Sequence, residues 1–376
     1  MITPGACIGI LGGGQLGRML AFEAKRMGYF VIVLDPTLDC PAAQVCDQQI
    51  VAEYDDLNAA LDLVSKCNVI TYEFENVEVT IVEELEKNIG VYPGSKVLRT
   101  TQHRFLEKSF FKDSRILVTD FALVQNLNDL KQAAIKIGFP GILKTCRFGY
   151  DGKGQRVLKN LKDAENAFNE FKDQDLIWEK MVDFDKECSV IASRNLSGEI
   201  VIYPISENIH KDNILDISIV PARISEKSKQ QAIQAVKTIA EDLEIVGTFC
   251  VEFFVLRNGE VMANEIAPRP HNSGHYSIEA CYTSQFENQL RAVCNLPLGS
   301  PDLIMPAVMV NILGDGQGNT FSGAEDLLKA KGVYLHLYGK AVAKAQRKMG
   351  HITVLDQSVD QALEKALNLR QQINWI

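Results

Sequence analysis

Two glutamates in the stretch 247–267 are spaced so that they could hold a cation between them. The dipeptide Asn258-Gly259 predicts a two-residue hairpin loop, because a type I′ turn requires positive φ at both central positions. With that loop, the residue numbers of any two facing positions add up to 517. Glu252 therefore lies directly opposite Glu265. Like charges in that relation destabilise a sheet, so a bound divalent cation is an economical explanation. Mg²⁺ suits carboxylate oxygens and is usually held by one or two of them together with substrate phosphates.

The same register leaves alternatives for this hairpin. It places Phe254 opposite Ala263 on the face of the two acids, so that face is not uniformly exposed to water. Both glutamates could instead be solvated on an edge hairpin, or one of them could be protonated. Strict alternation also turns Asn264 away from the face of Glu265, and either a β-bulge or a backbone contact there would bring both residues to one site.

A second cluster, LKTCRFGYDGKGQRVL at 143–158, combines lysines with a glycine-rich turn. Lys144 lies on the first strand and Lys153 in the turn. Glycine lets backbone N–H groups approach an anion closely, so this hairpin could cover phosphates. The alternative is an ordinary glycine-rich surface hairpin. The neighbouring strand end favours the functional interpretation, because Glu179–Val182 would offer backbone groups to a base and Glu187 a carboxylate to ribose hydroxyls.

The loop NEIAPRPHNSGH at 264–275 is rich in hydrogen-bond donors. Loops of this kind beside a metal pair are candidate sites for anions or transition states. Asn272 and Ser273 could instead cap the helix that follows. Capping does not explain Arg269 or His271.

Gly12, Gly14 and Gly17 follow an apolar strand and have the spacing of a dinucleotide-binding loop, with Asp35 ending the next strand. That pattern alone is weak evidence for NAD. Amides at a helix N-terminus serve a sugar phosphate equally well.

Composition limits the classes of function. A chain of 376 residues predicts two or three domains, and 46% hydrophobic with 23% charged residues is typical of a soluble globular protein. A net charge of -9 and a pI near 5.3 disfavour nucleic-acid and membrane partners. Without an apolar run of roughly 18 residues or a signal peptide, we expect a cytoplasmic protein. The nine cysteines are scattered and never spaced as CxxC, so they predict neither disulfides nor zinc, but small buried hydrophobes.

The elements that position these groups fall into two classes. Alternating apolar strands and helices up to about residue 95 predict an open parallel sheet, whose strand ends line a ligand crevice. From Glu187 onward, consecutive strands with a helix at 225–243 predict an antiparallel sheet. The fold class is therefore α/β combined with α+β.

Six motifs in order carry a resemblance that runs essentially from end to end. They are GGGQLGRM at 12–19, EFENV at 73–77, GYDGKGQ at 149–155, ENIH at 207–210, NEIAPRPHNSGH at 264–275 and RKMGH at 347–351. In these motifs the chain resembles the ATP-grasp superfamily and, within it, the N5-carboxyaminoimidazole ribonucleotide synthetases, the ATPase subunit of phosphoribosylaminoimidazole carboxylase.

The resemblance implies an ATP-grasp fold in three parts. These are a Rossmann-like parallel-sheet domain that binds substrate at 1–100, a lid domain with the glycine-rich flap at 101–186, and an antiparallel-sheet domain with the metal site at 187–376, which includes a small subdomain from about 307. It also implies a homodimer.

The implied activity is ATP- and bicarbonate-dependent carboxylation of 5-aminoimidazole ribonucleotide through carboxyphosphate, with ADP and phosphate as the other products. Two Mg²⁺ ions would accompany ATP, and NAD would not be used. The glycine loop is then assigned to the substrate nucleotide. A sister ligase acting on glycinamide ribonucleotide with formate shares the glycine loop and the metal acids, but RPHNSGH and EFENV argue against it. An NAD-dependent oxidoreductase would need neither the two metal acids nor a second glycine flap, and a non-catalytic nucleotide-binding protein would not fill every charged position.

The resemblance also assigns residues. Those implied for catalysis are Tyr150, Asp151, Arg269, His271, Asn272 and Lys340. Those implied for ATP are Arg104, Lys144, Gly149, Tyr150, Asp151, Gly152, Lys153, Gly154, Gln155, Glu179, Lys180, Met181, Val182, Glu187, His210, Asn264 and Glu265. Those implied for the substrate nucleotide are Gln15, Leu16, Glu73, Asn76, Arg347 and Lys348, of which the last two would take the 5′-phosphate. Glu252 and Glu265 would bind the metal.

The chain departs from the family pattern at two places. The family commonly has RPGRKMGH, whereas this sequence has Lys344, Ala345 and Gln346 before Arg347. Met181 stands where an aromatic residue is frequent. Neither change removes a charged group with an assigned role.

Overall fold

The first part of the chain folds into an open sheet of parallel strands. The computed structural model of the protein describes residues 1–147, 149, 154–171 and 174–376. In this first sheet the strand order is β3-β2-β1-β4-β5. The elements are β1 (Cys7–Leu11), α1 (Gln15–Arg26), β2 (Phe30–Leu34), β3 (Gln48–Ile50), α2 (Leu57–Lys66), β4 (Val69–Tyr72), α3 (Val79–Glu86) and β5 (Val91–Tyr92).

Both faces of this sheet are covered, which explains why its strands are continuous apolar runs. Helices α2 and α3 pack on one face. Helix α1 packs on the other, together with Phe286 and Leu290 from much later in the chain. Gly28 ends α1 at φ +83°, a conformation that favours glycine.

A four-stranded antiparallel sheet follows, in the order β6-β9-β7-β8. Its apolar core lies between the sheet and two helices, α6 and α7. The elements of this part are α4 (Ser95–Thr101), α5 (Arg104–Asp113), β6 (Phe121–Val124), α6 (Leu127–Ile137), β7 (Gly141–Thr145), β8 (Gln155–Leu158), α7 (Leu161–Phe171) and β9 (Leu176–Lys180).

Nine strands of the rest of the chain build a sheet whose ladders are antiparallel, and the other two pair in a separate two-stranded antiparallel sheet. The order of the nine-stranded sheet is β15-β14-β10-β12-β13-β16-β19-β18, with β11 beside β10. The elements are β10 (Lys186–Arg194), β11 (Ile200–Ile202), β12 (Ser206–Lys211), β13 (Ile214–Val220), α8 (Glu226–Asp242), β14 (Gly247–Val255), β15 (Val261–Ala267), a 3-10 turn (Asn272–Gly274), α9 (Ser277–Ala280), α10 (Gln285–Val293), β16 (Ala307–Leu313), β17 (Phe321–Ser322), α11 (Ala324–Lys329), β18 (Val333–Leu337), β19 (Lys348–Leu355), α12 (Val359–Arg370) and β20 (Asn374–Trp375).

This arrangement confirms the predicted α/β and α+β class. The predicted parallel sheet, the flap-bearing hairpin and the antiparallel sheet each occur in the predicted order. Strands β16, β19 and β18, which follow residue 307, continue the large sheet through the ladder between β13 and β16. None of the helices in the described ranges is long and apolar enough to cross a membrane.

The hairpin of the two acids differs from its prediction at the turn. Leu256 and Glu260 close a three-residue loop, in which the Gly259 N–H donates to the Leu256 carbonyl and Gly259 has φ +80°. This is a type I turn followed by a left-handed glycine, so the predicted type I′ turn is wrong. Asn258 lacks the positive φ that a type I′ turn needs.

A β-bulge then restores the predicted pairing. Near the turn, Phe253 faces Ala263 and Phe254 faces Met262, so the predicted pairing of Phe254 with Ala263 is also wrong. The register shifts next to Glu252, and beyond the shift Glu252 faces Glu265. Asn264 is the extra residue, so the bulge, one of the two predicted alternatives, occurs.

Six of the nine cysteines are buried, as predicted. Cys7, Cys46 and Cys67 are partly exposed, so the prediction that all nine are buried is wrong for these three.

Candidate active site

The two opposed acids lie on one face of the large sheet and have different electrostatic surroundings. Arg104 donates to Glu265 at 3.0 Å. Burial alone would raise the pKa of Glu265, but Arg104 and Lys144 outweigh burial and lower it. For Glu252, burial and the charge of Glu265 act together and raise its pKa to about 7. Without a cation, the repulsion between the acids is therefore relieved by Arg104 on one side and by partial protonation on the other.

Helix α5 holds the bulged strand through three side chains on one helical face. Besides Arg104, Lys108 donates to the carbonyl of Asn264 at 2.6 Å, and Glu107 accepts the Ile266 N–H at 2.6 Å. Residues i, i+3 and i+4 of a helix share a face, so one turn of α5 binds three successive residues of β15. Because β15 is an edge strand, no further strand pairs with its outer backbone groups. Lys108 and Glu107 satisfy two of these groups, the Asn264 carbonyl and the Ile266 N–H.

Lys144 and Glu179 meet on the four-stranded sheet, on strands β7 and β9. Lys144 donates to Glu179 at 2.9 Å, and Lys108 lies 3.9 Å from the same carboxylate. Burial opposes ionisation of Glu179, but the two lysines outweigh burial and hold its pKa at about 2. The second carboxylate oxygen of Glu179 is buried and has no partner among the described residues.

The strand end that should meet a nucleobase is partly occupied by protein contacts. The Lys180 N–H donates to the Asp120 carbonyl, and the Met181 N–H donates to the Pro140 carbonyl. Over the described ranges, the Val182 N–H makes no such bond, so it is the backbone donor that remains for a base. The Met181 side chain is 45% exposed.

Glu187 and His210 form a second contact on the large sheet. The His210 Nδ1 lies 2.6 Å from the Glu187 carboxylate. Burial lowers the pKa of His210, but the bond to Glu187 outweighs burial and raises it. Glu187 stands two residues from Ser189, which faces Glu252 across the sheet, so Glu187 shares the face of the two opposed acids.

The flap begins and ends where the sequence places it. Lys144 pairs with Gln155 across β7 and β8, and Gly154 has φ +72°. Arg104 donates to the Gly149 carbonyl at 3.1 Å, which brings this end of the flap to the acids. Four residues assigned to the flap lie outside the described residues, and their roles stay predictions: Tyr150, Asp151, Gly152 and Lys153.

His271 reaches Glu252, one of the two opposed acids, and is held in one tautomer. Its Nδ1 accepts from the Ser273 N–H and lies 2.8 Å from the Ser273 hydroxyl, which itself accepts from Ser189. Nδ1 is therefore the acceptor, and Nε2 carries the proton and faces Glu252 at 3.4 Å. Burial, reinforced by Arg269, lowers the pKa of His271, so the ring is neutral.

Arg269 and Asn272 are each bound to a residue that the motifs did not single out. Arg269 forms a two-pronged pair with Glu75, with Nε and Nη2 at 2.5 and 3.1 Å from the carboxylate oxygens. Asn272 is buried, and its amide exchanges two hydrogen bonds with Asn311, at 3.0 and 2.7 Å. The Asn272 amide is thus engaged inside the protein, and its catalytic role stays a prediction.

The glycine loop donates to the protein's own carboxylates. The Gly13 N–H binds Asp35 at 2.7 Å, and Glu73 accepts from Gly14 at 2.6 Å and from Gly17 at 2.9 Å. A Cβ on Gly14 would lie 2.4 Å from the Glu73 carboxylate, so this close approach requires glycine. Two carboxylates already occupy the amides that a dinucleotide pyrophosphate would need, which disfavours NAD.

The residues assigned to the substrate nucleotide offer different groups near this loop. Among the described residues, the N–H groups of Gln15 and Leu16 make no hydrogen bond, so they remain for a ligand. The Leu16 side chain packs in the hydrophobic core, so only its backbone can serve. Asn76 is exposed near Glu73.

Lys340, Arg347 and Lys348 come together at the start of β19. Lys340 donates to the Lys348 carbonyl at 2.6 Å. Burial, reinforced by the charge of Arg347, lowers the pKa of Lys340 to about 8, while Glu73 acts in the opposite direction. The charge of Lys348 also acts on Glu252, so this cluster of cations lies close enough to the acids to influence them. The charges that act on Lys340 therefore come from both the first part of the chain, with Glu73, and the last part, with Arg347.

Sequence reasoning missed Glu75, Glu107 and Lys108. Glu75 lies inside the EFENV motif and could have been suspected from its carboxylate. Glu107 and Lys108 look like an ordinary exposed pair on a polar helix, yet they are 2% and 1% exposed. No pattern along the chain indicates their burial. A pKa of about 8 for Glu107, caused mainly by burial, marks it as unusual.

Family models match three consecutive parts of the chain. A ribonucleotide synthetase preATP-grasp domain matches residues 6–102, and an ATP-grasp domain matches residues 109–286. A phosphoribosylaminoimidazole carboxylase C-terminal domain matches residues 307–365.

Whole proteins match as well. The N5-carboxyaminoimidazole ribonucleotide synthase of Bacillus subtilis is 45% identical over 368 residues, which cover 98% of this chain and 96% of the relative. The crystal structure of the Staphylococcus aureus synthetase complexed with ADP has a TM-score of 0.92 at 40% identity, with 98% of each chain covered.

A third relative is the Aspergillus clavatus synthase, solved in complex with ADP and 5-aminoimidazole ribonucleotide. It has a TM-score of 0.90 at 31% identity and covers 97% of this chain and 98% of its own. These matches confirm the ATP-grasp fold and the resemblance carried by the six motifs. The chain belongs to the N5-carboxyaminoimidazole ribonucleotide synthases, which are ligases of the ATP-grasp superfamily.

Proposed function

We propose that this protein carboxylates 5-aminoimidazole ribonucleotide with ATP and bicarbonate. The products are N5-carboxyaminoimidazole ribonucleotide, ADP and phosphate, and the reaction belongs to purine biosynthesis leading to IMP. Membership of the synthase family supports the activity, and a relative solved with ADP and 5-aminoimidazole ribonucleotide supports both nucleotides. The observation that carries the proposal is the opposition of Glu252 and Glu265 beside Arg104 and Lys144.

Glu252 and Glu265 would hold Mg²⁺, and two ions would accompany ATP. The donor set fits, because two hard carboxylates face each other and the proton on Glu252 is weakly held at neutral pH. The described residues contain no group of three or more metal-ligating side chains. A pair of carboxylates completed by phosphate oxygens is the usual arrangement for Mg²⁺ with a nucleotide. The cation would neutralise phosphate charge.

The protein's own residues would bind and orient ATP around the acids. Arg104 and Lys144 would contact the phosphates, because both already bind carboxylates that such oxygens can replace. Val182 would donate to the base, and Glu187, oriented by His210, would accept from the ribose hydroxyls.

The chemistry proceeds in two transfers. A bicarbonate oxygen attacks the γ-phosphorus of ATP, and the bond to ADP breaks to give carboxyphosphate. Carboxyphosphate then releases phosphate and CO₂, and the exocyclic amine of 5-aminoimidazole ribonucleotide forms a bond to that carbon and loses a proton. Arg269 and Lys340 would stabilise the negative charge on carboxyphosphate, and the neutral His271 can donate through Nε2.

The substrate nucleotide would lie between the glycine loop and the start of β19. The backbone of Gln15 and Leu16 and the side chains of Glu73 and Asn76 would contact the base and sugar. The cations Arg347 and Lys348 would take the 5′-phosphate.

One experiment tests the proposal. ADP release is measured with and without 5-aminoimidazole ribonucleotide, and labelled bicarbonate follows carbon into the product. We expect ADP release to require both compounds and label to appear in the product one for one. In parallel, MgATP should raise the melting temperature and NAD or NADPH should not. Label-free product, or stabilisation by NAD, would refute the proposal.

A homodimer and a cytoplasmic location stay predictions from the resemblance and the composition.

A further inference from the structure

Glu75 connects two parts of the site that are 194 positions apart in the chain. It lies in the EFENV loop after β4, between Glu73 and Asn76, which are assigned to the substrate nucleotide. Its carboxylate binds Arg269, which follows β15 and is assigned to carboxyphosphate. Arg269 and Glu75 are only 17% and 32% exposed, so water screens the pair weakly.

The EFENV loop is fixed on its other side. Gln102 donates from one amide nitrogen to the carbonyls of Glu75 and Val77, both at 2.6 Å. The Gln102 amide oxygen accepts from Arg147 at 2.8 Å, at the start of the flap. The loop is therefore bound both to the flap and to the loop that carries Arg269.

The pair restricts Arg269 to one orientation. A guanidinium has five donors in a planar fork, and a two-pronged carboxylate pair fixes that plane. The Nη1 group donates to the Pro270 carbonyl at 3.3 Å, so every nitrogen of the guanidinium has a partner. Without Glu75, the side chain would keep its charge near Glu73 and His271 but lose its fixed direction.

We infer that Glu75 is a positioning residue that aims Arg269 at carboxyphosphate and ties its position to the loop that binds the substrate nucleotide. The inference rests on the proposed function of the same site. Because ATP is held by other residues, loss of Glu75 should reduce the carboxylation rate and leave ATP binding intact.

The test is a double-mutant cycle on the full-length protein with four forms: wild type, Glu75→Gln, Arg269→Gln and the double variant. We expect Glu75→Gln to lower kcat at least tenfold and to raise KM for bicarbonate, with KM for ATP within twofold. In the Arg269→Gln background the same change should have no further effect, because Glu75 acts through Arg269. Glu78→Gln, an exposed glutamate after the same loop, is the matched control and should behave as wild type.

Two results would overturn the inference. One is wild-type kcat in Glu75→Gln, and the other is a loss of equal size with and without Arg269. If Glu75→Gln does not fold, Glu75→Asp replaces it in the same cycle, since a shorter carboxylate keeps the charge but not the two-pronged geometry. Failure of wild type to carboxylate the nucleotide would instead refute the proposed function, so the two failures are distinguishable.

A separate observation concerns Cys7 and Cys67. Their sulfur atoms lie 3.7 Å apart, and both residues are partly exposed. The Cys7 N–H donates to the Asn68 side chain at 2.9 Å, and the Cys7 carbonyl accepts the Asn68 N–H at 2.8 Å. The two backbone segments are thus held side by side where β1 and β4 begin. The bond between the thiols lowers the pKa of Cys7, which favours its thiolate.

We propose that Cys7 and Cys67 are a modification site for small disulfides such as oxidised glutathione. The Cys7 thiolate attacks one sulfur of the reagent and expels a first thiolate. The Cys67 thiol then gives its proton to the expelled thiolate and attacks the mixed disulfide, which forms the Cys7–Cys67 bond and expels a second thiolate. The reagent is reduced to two thiols as the protein pair is oxidised.

Mass spectrometry after incubation with oxidised glutathione tests this. We expect a loss of two hydrogens and a cross-linked peptide pair in wild type and in Cys46→Ser, the partly exposed control. Cys67→Ser should carry a glutathione adduct on Cys7 instead. No mass change in wild type, or an adduct on Cys7 without the cross-link, would overturn the proposal.

Discussion

Glu252 and Glu265 face each other across β14 and β15, yet their pKa values move in opposite directions. Burial raises that of Glu252 to about 7 with the help of Glu265, whereas Arg104 and Lys144 overcome burial and lower that of Glu265. One acid is thus a permanent anion paired with arginine, and the other exchanges a proton near neutral pH. A cation entering this pair displaces a proton from Glu252 and competes with Arg104 for Glu265.

Glu265→Gln should lower turnover by orders of magnitude and leave the fold intact. The substitution relieves the repulsion of the pair, but it replaces one of the two carboxylates assigned to Mg²⁺ with a neutral amide. Steady-state kinetics at limiting Mg²⁺ measure this, with Glu260→Gln on the exposed turn of the same hairpin as control. Wild-type activity of Glu265→Gln at limiting Mg²⁺ would refute the metal assignment.

The raised pKa of Glu252 predicts a pH dependence of stability in metal-free protein. Folded Glu252 keeps its proton up to about pH 7, whereas the ordinary pKa is 4.5. The folded state therefore binds more protons in this window, and the free energy of unfolding falls as pH rises through it. Burial raises the pKa of Glu107 to about 8, and this acts in the same direction.

Comparison with Glu252→Gln isolates this effect, because glutamine does not titrate. As pH rises from 4.5 to 7.5, the free energy of unfolding of wild type should fall by up to about 3 kcal/mol relative to that of the variant. Denaturant unfolding with a chelator present measures the difference. Parallel curves for the two proteins would contradict the raised pKa.

Lys348→Ala should raise KM for 5-aminoimidazole ribonucleotide at least tenfold and keep KM for ATP. The lost cation is assigned to the 5′-phosphate, whereas the residues assigned to ATP are unchanged. The exposed Lys344→Ala, in the same segment, is the control. Equal losses for both nucleotides would contradict the assignment of Lys348 to the 5′-phosphate.

Gln346→Gly should stabilise the protein by about 0.5–1 kcal/mol. Gln346 has φ +64°, and it stands where the family commonly has glycine, so this departure places a side chain in a left-handed conformation. Lys344→Gly, at a position without positive φ, should destabilise the protein by a similar amount. Thermal or denaturant unfolding compares the two variants, and destabilisation by Gln346→Gly would contradict the assignment of strain.

The hairpin formed by β14 and β15 shows how much local sequence patterns can predict. The sequence predicts the opposition of Glu252 and Glu265, but through a turn that does not occur. A three-residue loop shifts the register by one, and the bulge at Asn264 shifts it back. A turn is chosen by a few neighbouring residues, whereas the bulge depends on contacts with α5, which lies far away along the chain.

The sequence by itself determines the order of strands and helices, the glycine positions and the charged residues of the six motifs. These follow from apolar periodicity, from backbone conformations that need glycine and from side-chain chemistry, which are all local. Tertiary structure alone decides that Glu75 binds Arg269, that Lys108 is buried under the bulge and that Glu73 occupies the amides of Gly14 and Gly17. Each of these contacts joins residues from distant parts of the chain, and the energy of a charge depends on what surrounds it after folding.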